Sequence, residues 1–212
     1  MLALIQHLFV GIFLNDLAFY TRVIWPINMV ILGVASFGVF MEQGRWKIIL
    51  RNILFVLIVA LPISLPFMGH LPYFMPFLGF IYGCYFVFVF WEIIRFLIKP
   101  SYINIDIISA AGCGFFLLIE IMVFVLQIMY YSNPESINGI DPFNPASIYI
   151  DLVYLSSIVQ TTIGFGDITP NSPQTKLIVS LFGILGQFYS VVLVGILLSK
   201  FTSKGSSPQE NA

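Results

Sequence analysis

The sequence predicts an all-α integral membrane protein of five or six transmembrane helices plus one re-entrant helix and loop. Three observations predict it. Of the 212 residues, 59% are hydrophobic and only 9% charged, with a mean hydropathy of +0.98. A soluble domain carries about 25% charged residues, so this chain lacks the polar surface to cover a globule in water. Its apolar residues come in runs long enough for the ~20 helical residues that cross a bilayer. One segment, 132–173, breaks that pattern with turn chemistry and a Gly-x-Gly sequence.

The apolar runs are 22–41, 48–68, 72–98, 104–131 and 174–200. The stretch 1–20 is a candidate sixth, weakened by Asn15 and Asp16, and six spans is the reading adopted. This stretch lacks the basic flank and small-residue cleavage site of a removable signal. Pro26, Pro62, Pro66, Pro72 and Pro76 predict kinks or ends, which helical membrane proteins tolerate. Within 132–173, Asn133-Pro134, Asp141-Pro142 and Asn144-Pro145 are turn signals. Only 147–160 has a helical pattern there, and it is too short to span. The tail from Thr202 is polar and predicted disordered, with no room for a cytoplasmic ligand-binding domain. Cys84 and Cys113 fall inside apolar runs and read as packing residues.

Lysines and arginines set the orientation. Arg45, Lys47, Arg51, Arg95, Lys99, Lys200 and Lys204 share one side if the helices alternate, leaving Arg22 and Lys176 opposite. The positive-inside rule makes the richer side cytoplasmic. The carboxyl terminus is then cytoplasmic, and the 132–173 segment, with Glu135, Asp141, Asp151 and Asp167, faces outward. The net charge of −1 gives no reason to expect a nucleic-acid partner.

The segment Thr161-Thr162-Ile163-Gly164-Phe165-Gly166-Asp167 carries the chemistry. Irregular backbone at membrane depth is tolerated where it lines a water-filled path. Glycines alternating with larger residues let successive carbonyls point one way, and aligned carbonyl oxygens can replace the water shell of a dehydrated cation. On this reading Ile163 and Phe165 pack outward against a wall, and the Thr162 hydroxyl adds an oxygen at the inner end. A lone Gly-x-Gly is usually a surface turn, but this one follows a short helix between two spans.

These residues resemble the signature of the tetrameric potassium-channel family, Thr-Val/Ile-Gly-Tyr/Phe-Gly-Asp. The resemblance runs from about 101 to 201 as outer helix, pore helix, selectivity filter and inner helix. Asp151-Leu152-Val153-Tyr154-Leu155-Ser156-Ser157 is similar to the pore helices of prokaryotic channels, and Leu185-Gly186-Gln187-Phe188-Tyr189 to their inner helices. The resemblance implies potassium coordination by Thr162, Ile163, Gly164 and Phe165, with Thr161, Gly166 and Asp167 in support and Gly186 as a gating hinge. It also implies a homotetramer, four copies of one filter loop around an axis, rather than a two-loop dimer. A prokaryotic plasma membrane, a multi-pass topology and an extracellular filter mouth follow. No cofactor is expected beyond potassium as the permeant ion. Two departures stand out: Phe165 lacks the commoner tyrosine hydroxyl, and Ile158 replaces a glutamate that in some members bonds the filter aspartate. Tyr154 is the candidate to brace Asp167 instead, with simple packing as the alternative.

Residues 1–100 precede this region as a sensor-like helical domain without the arginine series of a voltage sensor. Arg95 and Lys99 lie at the cytoplasmic end of 72–98, where long side chains snorkel, and Glu92 stands at i, i+3 from Arg95. Gly79-x-x-x-Gly83 permits close helix packing. Glu120, deep in 104–131, is an intramembrane ionisable residue and so a functional candidate; a bond to Gln160 or Gln187 that braces the pore is the preferred expectation, a proton-sensitive site the other. His7 and His70 have no neighbouring ligands in sequence that suggest a metal site, and no nucleophile–base pair suggests an enzyme. The function expected is passive, potassium-selective conduction without steep voltage gating. The alternatives are a weakly selective cation channel and a non-conducting modifier subunit.

Overall fold

The computed structural model describes residues 1–13, 16, 19–37, 49, 52–53, 56–61, 63–64, 73–98 and 105–204. Its elements are α1 (Leu2–Phe9), a 3-10 turn (Val10–Phe13), a π-helical turn (Tyr20–Ile24) running into α2 (Trp25–Phe37), α3 (Phe74–Ile98), α4 (Ile105–Ser132), α5 (Pro145–Gln160) and α6 (Pro173–Lys204). Two short strands, β1 (Ile137–Asn138) and β2 (Thr169–Pro170), pair antiparallel, with Ile137 opposite Pro170 and Asn138 opposite Thr169. Among the described residues three helical stretches are long and apolar enough to cross a membrane: Phe74–Ile98, Asp106–Ser132 and Pro173–Ile196. The protein is an all-α membrane protein.

Of the candidate sixth span 1–20 the structure describes residues 1–13, 16, 19 and 20. From Leu2 to Phe13 the helical turns cover about 20 Å, against a hydrocarbon core of ~30 Å. The Asp16 carboxylate accepts a hydrogen bond from the Phe19 amide at 3.0 Å, the local side-chain capture of a backbone donor that short acidic residues favour. Nearly half of the predicted run 48–68, together with Arg45, Lys47, Arg51, Lys99 and the tail beyond 204, lies outside the described residues.

α4 is the central helix, the most deeply buried of the three spans. α3 packs along it. Gly79 and Gly83 lie at that contact, where a β-carbon on Gly79 would stand 3.2 Å from Ile128 and one on Gly83 would stand 3.9 Å from Phe124. The small residues thus bring two helices close together in an apolar environment. Tyr82, Phe86 and Phe124 stack beside them, with ring centroids 5.5 to 6.1 Å apart. On its other side α4 meets α6. Gly114 leaves space for the Tyr189 ring, whose hydroxyl donates to the Ala111 carbonyl at 2.7 Å. α5 fits between α4 and α6, and α6 keeps a bare apolar face that includes Leu177, Leu181, Ile184, Phe188 and Val191.

Candidate functional site

Two local signals fix α5. Asn144 caps it, its side chain accepting from the Ser147 amide at 2.9 Å, and Pro145 follows at the first helical position. Both residues are favoured there, Pro because its missing N–H has no partner to lose. The helix therefore starts two residues before the expected 147; Asn-Pro is a helix start here as well as a turn signal. Sixteen residues make about 24 Å, short of the ~30 Å hydrocarbon core.

What ends the helix also shapes the loop 161–167. The amides of Thr161 and Thr162 donate to Ser157 O and Val159 O at 3.0 and 3.1 Å, and those of Ile163 and Gly164 both donate to Ile158 O at 2.8 and 3.1 Å. The last carbonyls of α5 are thereby satisfied. In a planar trans peptide the C=O points opposite the N–H. The carbonyls of Thr161, Thr162 and Ile163 therefore turn away from α5, toward the open side of the loop. That row requires unusual backbone: Thr162, Gly164 and Gly166 have φ of +62°, +56° and +82°. Gly suffers no steric penalty there, but for Thr162 the left-handed region costs about 1–2 kcal/mol. Sequence reasoning placed the special conformation at the glycines alone and missed Thr162.

Side chains hold the outer half of the loop. The Tyr154 hydroxyl donates to Asp167 Oδ2 at 2.7 Å, and the Tyr154 and Phe165 rings lie parallel, 6.5 Å between centroids. The Tyr154 hydrogen bond, aided by backbone amides, holds the Asp167 carboxyl below the usual carboxylate value. Ile163 and Phe165 are 56% and 71% exposed in the single chain. The wall expected around them is therefore not built from this chain's own described residues.

A clamp ties the loop to the rest. The Ser136 carbonyl accepts from the amides of Asn171 and Ser172 at 2.8 and 3.2 Å and from the Thr175 hydroxyl at 2.8 Å. Asp151 Oδ2 accepts from the Asp141 amide at 2.8 Å, tying the entry loop to α5. Gly139, with φ +85°, passes so close that a β-carbon would stand 2.5 Å from the Asp167 carbonyl oxygen. Sequence reading missed Gly139; the signal was the Asn138-Gly139 dipeptide between two apolar residues.

Gly186 stands in an α6 that continues unbroken from Pro173 to Lys204. A β-carbon there would stand 2.9 Å from Gln160 Oε1, so close approach to the end of α5 accounts for the glycine in this conformation. Glu120 does not bond Gln160 or Gln187. It is fully buried against His7 of α1 and Tyr149 of α5, because α1 packs against α4 at this level. Among the described residues no three His, Cys, Asp or Glu side chains form a metal-ligand group.

The fold and this loop define a multi-pass helical membrane protein with a short helix and an irregular loop set between its last two membrane-competent helices. Residues 117–203 match a protein family model described as "Ion channel". The chain is similar to the two-pore potassium channel 5 of Arabidopsis thaliana, 33% identical over 100 residues, which are 47% of this chain and 22% of that protein. No solved structure matches. These likenesses point to a channel and not to an enzyme.

Proposed function

We propose that this protein is a potassium-selective channel that conducts passively through a homotetrameric pore. The loop 161–167 is its selectivity filter, and Thr162, Ile163, Gly164 and Phe165 offer the coordinating oxygens. The observation that carries the reading is the run of amides from Thr161 to Gly164 bonded back onto α5, which turns a row of carbonyl oxygens to the opposite side. Oxygens in such a row can stand in for the hydration shell of a monovalent cation. The likeness to a potassium channel over 100 residues favours potassium as that ion.

One loop offers one side of a cage, so the reading requires further copies. Support for further copies comes from exposure: Ile163, Phe165 and the Leu177, Leu181, Ile184 and Phe188 face of α6 are bare in a single chain, and four is the number of loops that surround a filter of this kind. Neighbouring copies would give those side chains a wall. In this reading the 132–173 segment faces the outside of a cell membrane, and the carboxyl end of α6 faces the cytoplasm.

Purified protein in liposomes, loaded with potassium and diluted into sodium, tests the reading. Potassium efflux well ahead of sodium entry is the expected result, from a particle whose native mass is four times the 23.9 kDa chain. Equal permeability to the two ions would leave only a weakly selective cation pore. A dimer as the conducting species would overturn the assembly.

A further inference from the structure

The buried positions of α6 form one stripe, Thr175, Val179, Phe182, Gly186 and Tyr189, spaced three and four apart as on one face of a helix. At its outer end the Thr175 hydroxyl donates to the Ser136 carbonyl at 2.8 Å. In the middle Gly186 abuts Gln160. Tyr189 closes the row. Its ring is 7% exposed; it lies over Gly114 of α4 and meets the Phe90 ring of α3 with centroids 5.7 Å apart. Its hydroxyl donates to the Ala111 carbonyl of α4 at 2.7 Å. Three membrane-competent helices are thus pinned together at one level. Drawing Tyr189 away would strip a buried hydroxyl of its acceptor and an aromatic ring of its contacts with two helices.

Beyond Tyr189 the attachment thins. Val191, Val192 and Val194 are exposed, and the next positions of the stripe, Leu193 and Ile196, are only half-buried. The Ser190 hydroxyl donates to the Gly186 carbonyl at 3.0 Å, a back-bond of the kind that eases helix bending. Gly195 follows one turn later. A glycine inside a helix costs stability relative to alanine. At Gly183 and Gly186 crowding accounts for it, since a β-carbon would stand 3.4 Å from Val159 and 2.9 Å from Gln160 Oε1. At Gly195 a β-carbon would meet nothing within 4 Å in the chain. Its effect there is on the backbone alone, a soft point in a helix that runs unbroken from Pro173 to Lys204.

We infer that α6 pivots at Gly195 when the pore opens and closes, and that Tyr189 is the positioning residue that keeps α6 above this point fixed to α4. The inference rests on the channel reading above. Gly186, the bending point implied by the family resemblance, is then a packing residue, because a bend there would pull Tyr189 from its socket one turn below. A pivot at Gly195 leaves that socket, the Gln160 contact and the loop 161–167 undisturbed. It still moves the pore mouth: from Gly195 a bend of about 30° carries the Lys204 end some ~7 Å sideways.

Single-channel recording of the full chain in planar bilayers, with native mass measurement of each variant, tests the pivot. Gly195→Ala favours the straight helix by about two- to fivefold per copy. Gly195→Pro removes a main-chain hydrogen bond and favours the bent one. The ratio of open to closed time should therefore shift in opposite directions in the two variants, by at least about twofold each. In a Tyr189→Phe background that contrast should shrink, because bending can then spread upward toward Gly186. An unchanged contrast would overturn the part assigned to Tyr189. Should Gly195→Pro fail to assemble, spin labels at Val191→Cys or Ser199→Cys, with Cys84→Ala and Cys113→Ala, give a second reading. Distances between copies should stay single at 191 and divide into two populations at 199. Two populations at both positions would place the pivot above Tyr189 and overturn the inference. So would conduction that persists with Gly195→Ala and Gly195→Pro shifted the same way or not at all. Loss of the wild-type assembly in Gly195→Ala would overturn it too, since the glycine would then serve the close approach of a neighbouring copy. Absence of potassium conduction in the wild type would sink the channel reading and the pivot with it.

Discussion

At the scale of single residues, Gly164 and Tyr154 carry opposite kinds of constraint. At Gly164 a β-carbon would meet nothing within 4 Å in the chain, so space is not the issue; φ of +56° is. Alanine there would strain the backbone by about 1–2 kcal/mol, relieved by rotating the peptide that carries the Ile163–Gly164 hydrogen bond to α5. Gly164→Ala should therefore abolish potassium flux while native mass measurement still finds the wild-type assembly. Tyr154 acts through its side chain. The hydrogen bond lowers the Asp167 carboxyl below its ordinary value and raises the Tyr154 phenol above its own, two directions that agree on where the proton lies. A depressed carboxylate contributes fully above the unfolded value of about 3.9 and loses its contribution as pH falls through the lower folded value. Tyr154→Phe should thus reduce sustained flux at neutral pH. Mild acidification toward pH 5 should leave the Tyr154–Asp167 bond intact.

At the scale of elements, α5 and its flanking loops behave as one unit. The clamp from Ser136 to Asn171, Ser172 and Thr175 closes the loop on its outer side, and Gly139 is the tightest point. Gly139→Ala sets a β-carbon 2.5 Å from the Asp167 carbonyl oxygen, at φ +85°. Strain of this kind costs about 1–3 kcal/mol and should lower the midpoint of thermal unfolding in detergent by several degrees. An unchanged midpoint would mean that the outer loops are not joined as described. What sequence could reveal divides along the same line. The start of α5 at Asn144-Pro145, its stop at the loop and the pairing of Glu92 with Arg95 at 3.4 Å depend on residues a few positions apart, whose chemistry can be read in order. Gly139 against Asp167, Gly186 against Gln160 and His7 against Glu120 depend on distant segments meeting. The apolar run containing His7 carried no sign that this side chain would meet Glu120. The glycine at 186 was legible as a special position, but the chain alone could not say whether the need was bending or closeness.

At the scale of the whole molecule, the charges decide how conduction responds to voltage. A potential of 100 mV does about 2.3 kcal/mol of work on each elementary charge carried fully across. Steep gating needs 3–4 such charges in each of four subunits, or tens of kcal/mol in total. In α3 the cation is Arg95, 46% exposed near the helix end and 3.4 Å from Glu92. The pair carries no net charge, and the position near the end of the span lets the arginine cross only a fraction of the field. Elsewhere in the first hundred residues Arg22, Arg45, Lys47, Arg51 and Lys99 lie at or near the ends of the apolar runs rather than recurring every third position along one. Glu120 is held on both oxygens by Tyr149 and on one by His7, so its movement would break a buried cluster rather than slide along a track. In the proposed tetramer the four subunits together would contribute at most a few kcal/mol at 100 mV. Open probability should change gently between strongly negative and strongly positive potentials in planar-bilayer recordings. Arg95→Gln should leave that slope nearly unchanged. A steep slope matching several charges per subunit and surviving Arg95→Gln would require a moving charge elsewhere, and Glu120→Gln would be the next variant to record.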